Sequence, residues 1–117
     1  MKTHKDLDVY VKAIDFVTEI YKATSTFPKS ELYGLTNQIR RAAVSIPSNI
    51  AEGSARNHQA EFRQFLYVSL SSAAEIDTQI LIAYNLGYIT LEQKHRLNAD
   101  LSSISRMLQG LIKSIKQ

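Results

Sequence analysis

Between Phe62 and Ala83, the positions Phe62, Leu66, Ser69, Ala73, Ile76, Ile80 and Ala83 recur at spacings of 4-3-4-3-4-3. An apolar or small residue at every third or fourth place keeps to one face of an α-helix, whereas a half-buried strand alternates every second residue. The pattern predicts a helix from about His58 to Leu86, roughly 43 Å long at ~1.5 Å per residue. Asn57 is its candidate N-cap, Glu61 lies near the positive end of its dipole, and Gly87 suits the C-cap.

Three further segments read the same way. The first runs from about Asp6 to Thr24 and carries two stripes side by side. One is Leu7, Tyr10, Ile14, Val17 and Tyr21, and the other is Val9, Ala13, Phe16 and Ile20. A helix with two apolar stripes touches more than one neighbour. Phe27-Pro28 is a poor helical step and breaks the segment. The second helix is expected from about Ser30 to Ala55, striped by Leu35, Ile39, Ala42, Ile46 and Ile50. Gly34 weakens its first turn by about 1 kcal/mol relative to alanine, so its start can slip to Tyr33. Gly53 suits its exit. The fourth opens on Thr90-Leu91-Glu92-Gln93, the capping-box pattern, and continues through Leu97, Leu101, Ile104, Leu108, Leu111 and Ile115. Short connections favour antiparallel neighbours. The expected fold is all-α: one domain spanning residues 1–117, an antiparallel up-down-up-down four-helix bundle.

Pro47 falls inside the second helix. Its nitrogen has no hydrogen to donate and its ring crowds the carbonyl of Ala43, a conflict of about 3 kcal/mol or more unless the helix bends. A kink at Pro47 is therefore expected, with the hydroxyls of Ser45 and Ser48 near the freed backbone groups. The shape of a bent helix suits small subunits meeting around a closed assembly.

The totals exclude several classes of function. The chain has no cysteine, so it forms neither disulfides nor thiolate metal sites, in keeping with a reducing cytoplasm. Residues 1–6 carry no apolar stretch behind their basic residues, so no signal peptide is read, and no apolar run approaches the ~18 residues of a membrane span. Fourteen basic against eleven acidic residues give a net charge of +3. That balance is compatible with an anionic partner. From Lys94 onward, Lys94, Arg96, Arg106, Lys113 and Lys116 face Asp100 alone. This run reads either as a solvated helix end that complements the dipole or as a stripe turned to nucleic acid.

No catalytic set emerges. The serines sit in no Gly-x-Ser-x-Gly elbow, and no glycine-rich phosphate loop is present. Glu92 and His95 make one Glu-x-x-His pair, where a di-iron bundle needs two pairs and two more glutamates. Glu92 reads as a first-turn acid, and His4, His58 and His95 have no ligand spacing. Neither metal nor cofactor is expected, and the tyrosines read as packing residues. One constellation remains: Arg40, Arg41 and Arg56, with Asn49 and Glu52 between them. It reads as salt bridges and hydrogen bonds at a subunit contact, or as phosphate contacts that release counterions.

The run from Gln38 to Gly53, above all Ile46-Pro47-Ser48-Asn49-Ile50-Ala51-Glu52-Gly53, resembles the signature of the 23S rRNA intervening-sequence protein family. Phe27-Pro28, Tyr33-Gly34-Leu35, Arg56, Glu61-Phe62, Phe65-Leu66 and Leu86-Gly87-Tyr88 extend the likeness over nearly the whole chain. The resemblance implies a small bacterial four-helix bundle assembled as a ring of five. Some relatives are encoded within sequences inserted into ribosomal RNA genes. The accessory factor of diversity-generating retroelements is a similar protein. It implies a basic pentameric barrel that binds nucleic acid and a reverse transcriptase.

The expectation is a non-enzymatic, cytoplasmic homo-oligomer that acts as a binding or scaffold protein; the resemblance implies a pentamer and makes RNA or DNA the expected ligand. The alternative is a purely protein-interaction module. Arg40, Arg41 and Arg56 are the candidate anion contacts, with Lys113 and Lys116 as auxiliaries. Pro47, Asn49, Glu52 and Gly53 are the candidate structural and interface residues. The first and third helices carry more apolar surface than one bundle needs, with Phe65, Val68, Leu70 and Leu81 off the main seam of the third, and exposed patches of this kind mark partner surfaces.

Overall fold

A computed structural model describes Thr3, His4 and residues 7–115. Four helices follow one another: α1 (Asp8–Thr24), α2 (Leu35–Ala55), α3 (Gln59–Asn85) and α4 (Leu91–Ser114), with a short 3-10 turn at Lys29–Glu31 between the first two. No strand occurs among the described residues. Each helix packs on its neighbours in the cyclic order α1, α2, α3, α4 and back to α1, with no substantial contact across either diagonal. This all-α bundle fits the expected up-down-up-down connectivity. The rod measures 44 × 24 × 20 Å.

The seams of α2 and α3 hold. Ile39, Ile46, Ile50, Leu66, Ile76 and Ile80 are almost completely buried, and Ile104 and Leu108 of α4 meet them. In α1 the core stripe is Val9, Ala13, Phe16 and Ile20, while Ile14 and Tyr21 of the other stripe remain exposed. At the end of α4 the buried residue is Ile112, and Leu111 and Ile115 are half-buried. Burial follows the neighbouring helix here rather than the sequence spacing alone.

The start of α4 at Thr90 and the end of α3 at Gly87 behave as read; the start of α2, the role of Gly53 and the cap of α3 do not. Thr90 and Gln93 complete the capping box: the Gln93 N–H donates to Thr90 Oγ1 at 3.1 Å and the Thr90 N–H to Gln93 Oε1 at 2.8 Å. Thr90→Ala is expected to cost about 1 kcal/mol, read as a fall of several degrees in thermal midpoint; an unchanged midpoint would show that the cap is redundant. After α3, Gly87 takes a φ of 79°. The Tyr88 N–H then donates to the Ala83 carbonyl and the Gly87 N–H to that of Tyr84, both at 2.9 Å, the paired bonds of a Schellman ending.

The expected start of the second helix at Ser30 is corrected. The chain makes a separate 3-10 turn, and α2 begins only after Gly34. Glu31 explains the break. Its Oε1 accepts the Leu35 N–H at 3.1 Å, which puts a carboxylate at the positive end of α2. Its Oε2 accepts the Tyr88 hydroxyl at 2.9 Å. That bond raises the Tyr88 pKa above its ordinary value, because it favours the protonated phenol. One side chain thus ties the α1–α2 connection to the α3–α4 connection. α2 ends at Ala55 as expected, but the role given to Gly53 is corrected. Gly53 lies inside the helix and is buried, and the left-handed residue is Asn57, with φ 59°. Asn57 is therefore not the cap of α3; that place falls to His58.

Candidate nucleic-acid and subunit interfaces

Along α2, the spacing of Arg41, Ser45, Asn49, Glu52 and Arg56 puts them on one side of the helix, the side turned towards α3. Ser72 of α3 donates to Ser45 Oγ at 2.9 Å, and Asn49 Nδ2 donates to the Ser45 carbonyl at 2.8 Å and to Ser45 Oγ at 2.9 Å. One turn deeper, the fully buried Ser69 donates to the Ile46 carbonyl at 2.9 Å. These bonds surround Pro47, which is itself buried within a continuous α2. The Ser45 hydroxyl joins α2 to α3 and Asn49 turns onto its own helix; Glu52 is exposed.

Gly53 sets how closely α2 and α3 approach. A Cβ there would lie 2.6 Å from Phe65 Cβ, 3.0 Å from Phe62 Cδ1 and 3.3 Å from the Phe62 carbonyl oxygen. No side chain fits between the helices at that point, so the glycine serves packing rather than a turn.

The candidate cations are spread apart. Arg40 is half-buried at the α1–α2 seam. Its Nε donates to Thr24 Oγ1 at 2.8 Å, and its guanidinium lies 4.6 Å from the centre of the Tyr21 ring. Arg41 is exposed and lines a groove of about 370 Å³ between α2 and α3, with Gln38, Ser45, Ser72 and Glu75. Arg56 is exposed at the end of α2, 5.1 Å over the ring of Phe65. It stands roughly 22 Å along the helix from Arg41. Lys113, in the last turn of α4, borders a groove with Tyr67 and Leu70, near the same end of the bundle as Arg56. Lys116 lies outside the described residues. Among the described residues, the ion pairs shown are Lys12 with Asp100 and Lys22 with Glu19, and none of Arg40, Arg41, Arg56 and Lys113 takes part in one.

Apolar surface is concentrated in two places. The first is a groove of about 310 Å³ between α1 and α2, lined by Tyr10, Ile14, Val17, Val44, Pro47 and Ala51. Ile14 is 42% and Val44 40% exposed. The stripe of α1 that does not enter the core therefore lies along this groove. The second is the outer face of α3, where Tyr67, Val68, Leu81, Ile82 and Leu86 are each 42–54% exposed. Of the residues read as lying off the α3 seam, Val68 and Leu81 do face solvent, whereas Leu70 is half-buried against the core and Phe65 lies beneath Arg56. Residues 64–86 contain no lysine or arginine, and their only charges are Glu75 and Asp77. The α3–α4 side holds a further groove of about 380 Å³, lined by Ala74, Asp77, Asn98 and Ser102 among others. The Oδ1 of Asn98 is buried there without a hydrogen-bond partner. Asn98 gave no signal in the sequence, because nothing within α3 or α4 alone places it beside Asp77.

These features define a class: a small four-helix bundle with partly apolar flanks and dispersed arginines. The chain belongs to the 23S rRNA-intervening sequence protein family, which it matches over residues 5–110. It is also similar to a crystal structure from Bacteroides thetaiotaomicron, a protein of unknown function from the S23 ribosomal protein family. The two share 27% identity and a TM-score of 0.83, over 91% of this chain and 96% of the other. No curated protein matches the chain.

Proposed function

We propose that the protein is a non-enzymatic, cytoplasmic, homo-oligomeric scaffold, a pentamer in the form the family resemblance implies, that binds RNA or DNA through its phosphates. The observation that carries this reading is the pairing of exposed apolar flanks with Arg40, Arg41 and Arg56, which take part in no ion pair among the described residues. Exposed apolar surface favours association, and an assembled ring would repeat the dispersed cations at regular intervals. Arg41, Arg56 and Lys113 are exposed and carry the phosphate contacts, with Lys116 as an auxiliary by its place in the sequence. Arg40, held by Thr24 and Tyr21, is better placed for a subunit contact. No helix among the described residues is long and apolar enough to cross a membrane.

Fluorescence anisotropy of a labelled RNA across a salt series tests the nucleic-acid arm. Binding should weaken linearly in log–log form, with a slope of about −0.7 per phosphate contacted on a single strand. Arg41→Ala should reduce that slope and weaken all sequences alike. An affinity that ignores salt, or no binding at low salt, would remove the nucleic-acid ligand. The exposed apolar side chains on the outer face of α3 support the second reading, a module for protein partners alone, with a reverse transcriptase as the kind of partner the resemblance suggests. That reading predicts an intact oligomer with no affinity for RNA or DNA.

A further inference from the structure

We infer that the polar groove between α2 and α3 takes an unpaired guanine base, with Glu75 accepting from the two adjacent N–H donors of its Watson–Crick edge. This assignment rests on the nucleic-acid binding proposed above and adds which base is read and where.

The groove holds about 370 Å³ and is lined by Gln38, Arg41 and Ser45 of α2 and by Ser72 and Glu75 of α3. Pockets that take small ligands begin at about 300 Å³. Arg41 and Glu75 line it from facing helices, yet they form no ion pair with each other. Glu75 is held instead by its own helix. Gln79 Nε2 donates to Glu75 Oε2 at 3.1 Å. Gln79 is only 5% exposed, and its Oε1 is buried without a hydrogen-bond partner. An amide with one half unsatisfied is costly in an apolar seam, where leucine or methionine would pack without that penalty. The bond one turn along the helix returns little by itself. What Gln79 supplies is a carboxylate fixed in direction, with one oxygen unengaged among the described residues and a lone pair left on the other. Thr36 Oγ1 is a second buried atom without a partner. Equal steps back along α2 from Ile46 and forward along α3 from Ser69, which are bonded to each other, bring Thr36 level with Gln79. Polar groups therefore reach into the seam behind Glu75.

A carboxylate repels phosphate, so contact with a nucleic-acid backbone does not explain its place beside Arg41. It selects a donor, and the donors of a strand are on its bases. Ser45 completes the pattern. Its Oγ accepts from Ser72 and from Asn49, each at 2.9 Å, which leaves its own proton to donate. One groove thus presents two carboxylate acceptors and a hydroxyl donor. Guanine is complementary: its O6 accepts while N1–H and the 2-amino group donate side by side. Neither adenine, cytosine nor uracil carries two adjacent donors on that edge. The edge is free only in an unpaired base, the form in which proteins read single strands. Arg41 remains for the phosphate of the same strand. Just ahead of this end of α2, Tyr33 is 91% exposed, an unpacked ring of the kind on which a neighbouring base stacks.

The test is fluorescence anisotropy with labelled single-stranded oligouridylates that carry one central guanosine, inosine or adenosine. Inosine lacks only the 2-amino group. The guanosine strand should bind on the order of tenfold more tightly than the adenosine strand, with inosine between them. Glu75→Gln should bring the three affinities together and leave the salt slope unchanged. Gln79→Met should reduce the guanosine preference without lowering the thermal midpoint, a split that a purely structural glutamine would not give. Equal binding of the three strands by the unmodified protein would overturn the guanine pocket and leave nucleic-acid binding standing. A guanosine preference that survives Glu75→Gln would overturn it as well. If no strand binds at low salt, the nucleic-acid reading falls, and calorimetry with 5′-GMP decides the groove. Binding of 5′-GMP that Glu75→Gln abolishes would assign the pocket to a free guanine nucleotide, and no binding would overturn it.

Discussion

Ile76→Asp is expected to abolish the folded subunit. Ile76 is completely buried in the seam of α3. Replacing its side chain removes roughly 2–3 kcal/mol of apolar burial. The new carboxylate would sit in the core without a partner, at a further cost of several kcal/mol even after relaxation. A domain of this size is held by about 5–15 kcal/mol in total. The expected result is loss of the helical circular dichroism signal at 25 °C and no cooperative thermal transition. Ile76→Val, which trims one methyl group, should cost only about 0.5–1.5 kcal/mol. Thr78→Asp, exposed on the same helix, should change stability by no more than about 0.5 kcal/mol. A soluble, fully helical Ile76→Asp protein would mean that another face of α3 forms the core.

The second large effect is a pair of glycine-to-alanine substitutions with opposite signs. Both glycines lie inside helices, where alanine is intrinsically favoured by about 1 kcal/mol. At Gly110 an added Cβ meets nothing within 4 Å, so Gly110→Ala should stabilise by about 0.5–1 kcal/mol. At Gly53 the new atom would collide with Phe65 Cβ and press on the Phe62 carbonyl. Neither is the free end of a flexible side chain, so α2 and α3 must separate. Overpacking of this kind costs about 1–3 kcal/mol and outweighs the gain in propensity. Each 1 kcal/mol moves the midpoint by roughly 3–6 °C for a chain this size, so thermal unfolding separates the two variants clearly. If Gly53→Ala were as stable as Gly110→Ala, the close approach of α2 and α3 would not be real.

The spacing of Ile39, Ala42, Ile46 and Ile50, or of Leu66, Ala73, Ile76 and Ile80, needs no knowledge of the rest of the molecule to be recognised as one helix face. The capping box at Thr90 and the ending at Gly87 were equally legible, because each involves bonds within a few residues. The candidate sites were legible only as residue types. Arg40 reads as a surface cation in its own helix, yet Thr24 and Tyr21 of α1 hold it against the α1–α2 seam. Arg41 and Arg56 share a side of α2 but stand four turns apart. Gly53 read as a helix exit because nothing near it in sequence reveals Phe65 packed against its α-carbon.

What the sequence determined by itself was the four helices, most of their ends and the core faces of α2 and α3. Those depend on hydrogen bonds and side-chain directions repeating every three to four residues. Tertiary structure decided which of the two α1 stripes enters the core. It also decided that Glu31 links two connections, that Ser69 and Gly53 draw α3 onto α2, and that Asp77 and Asn98 share a groove. Each of these is a contact between distant parts of the chain, selected by how neighbouring helices fit rather than by any preference that a helix expresses alone.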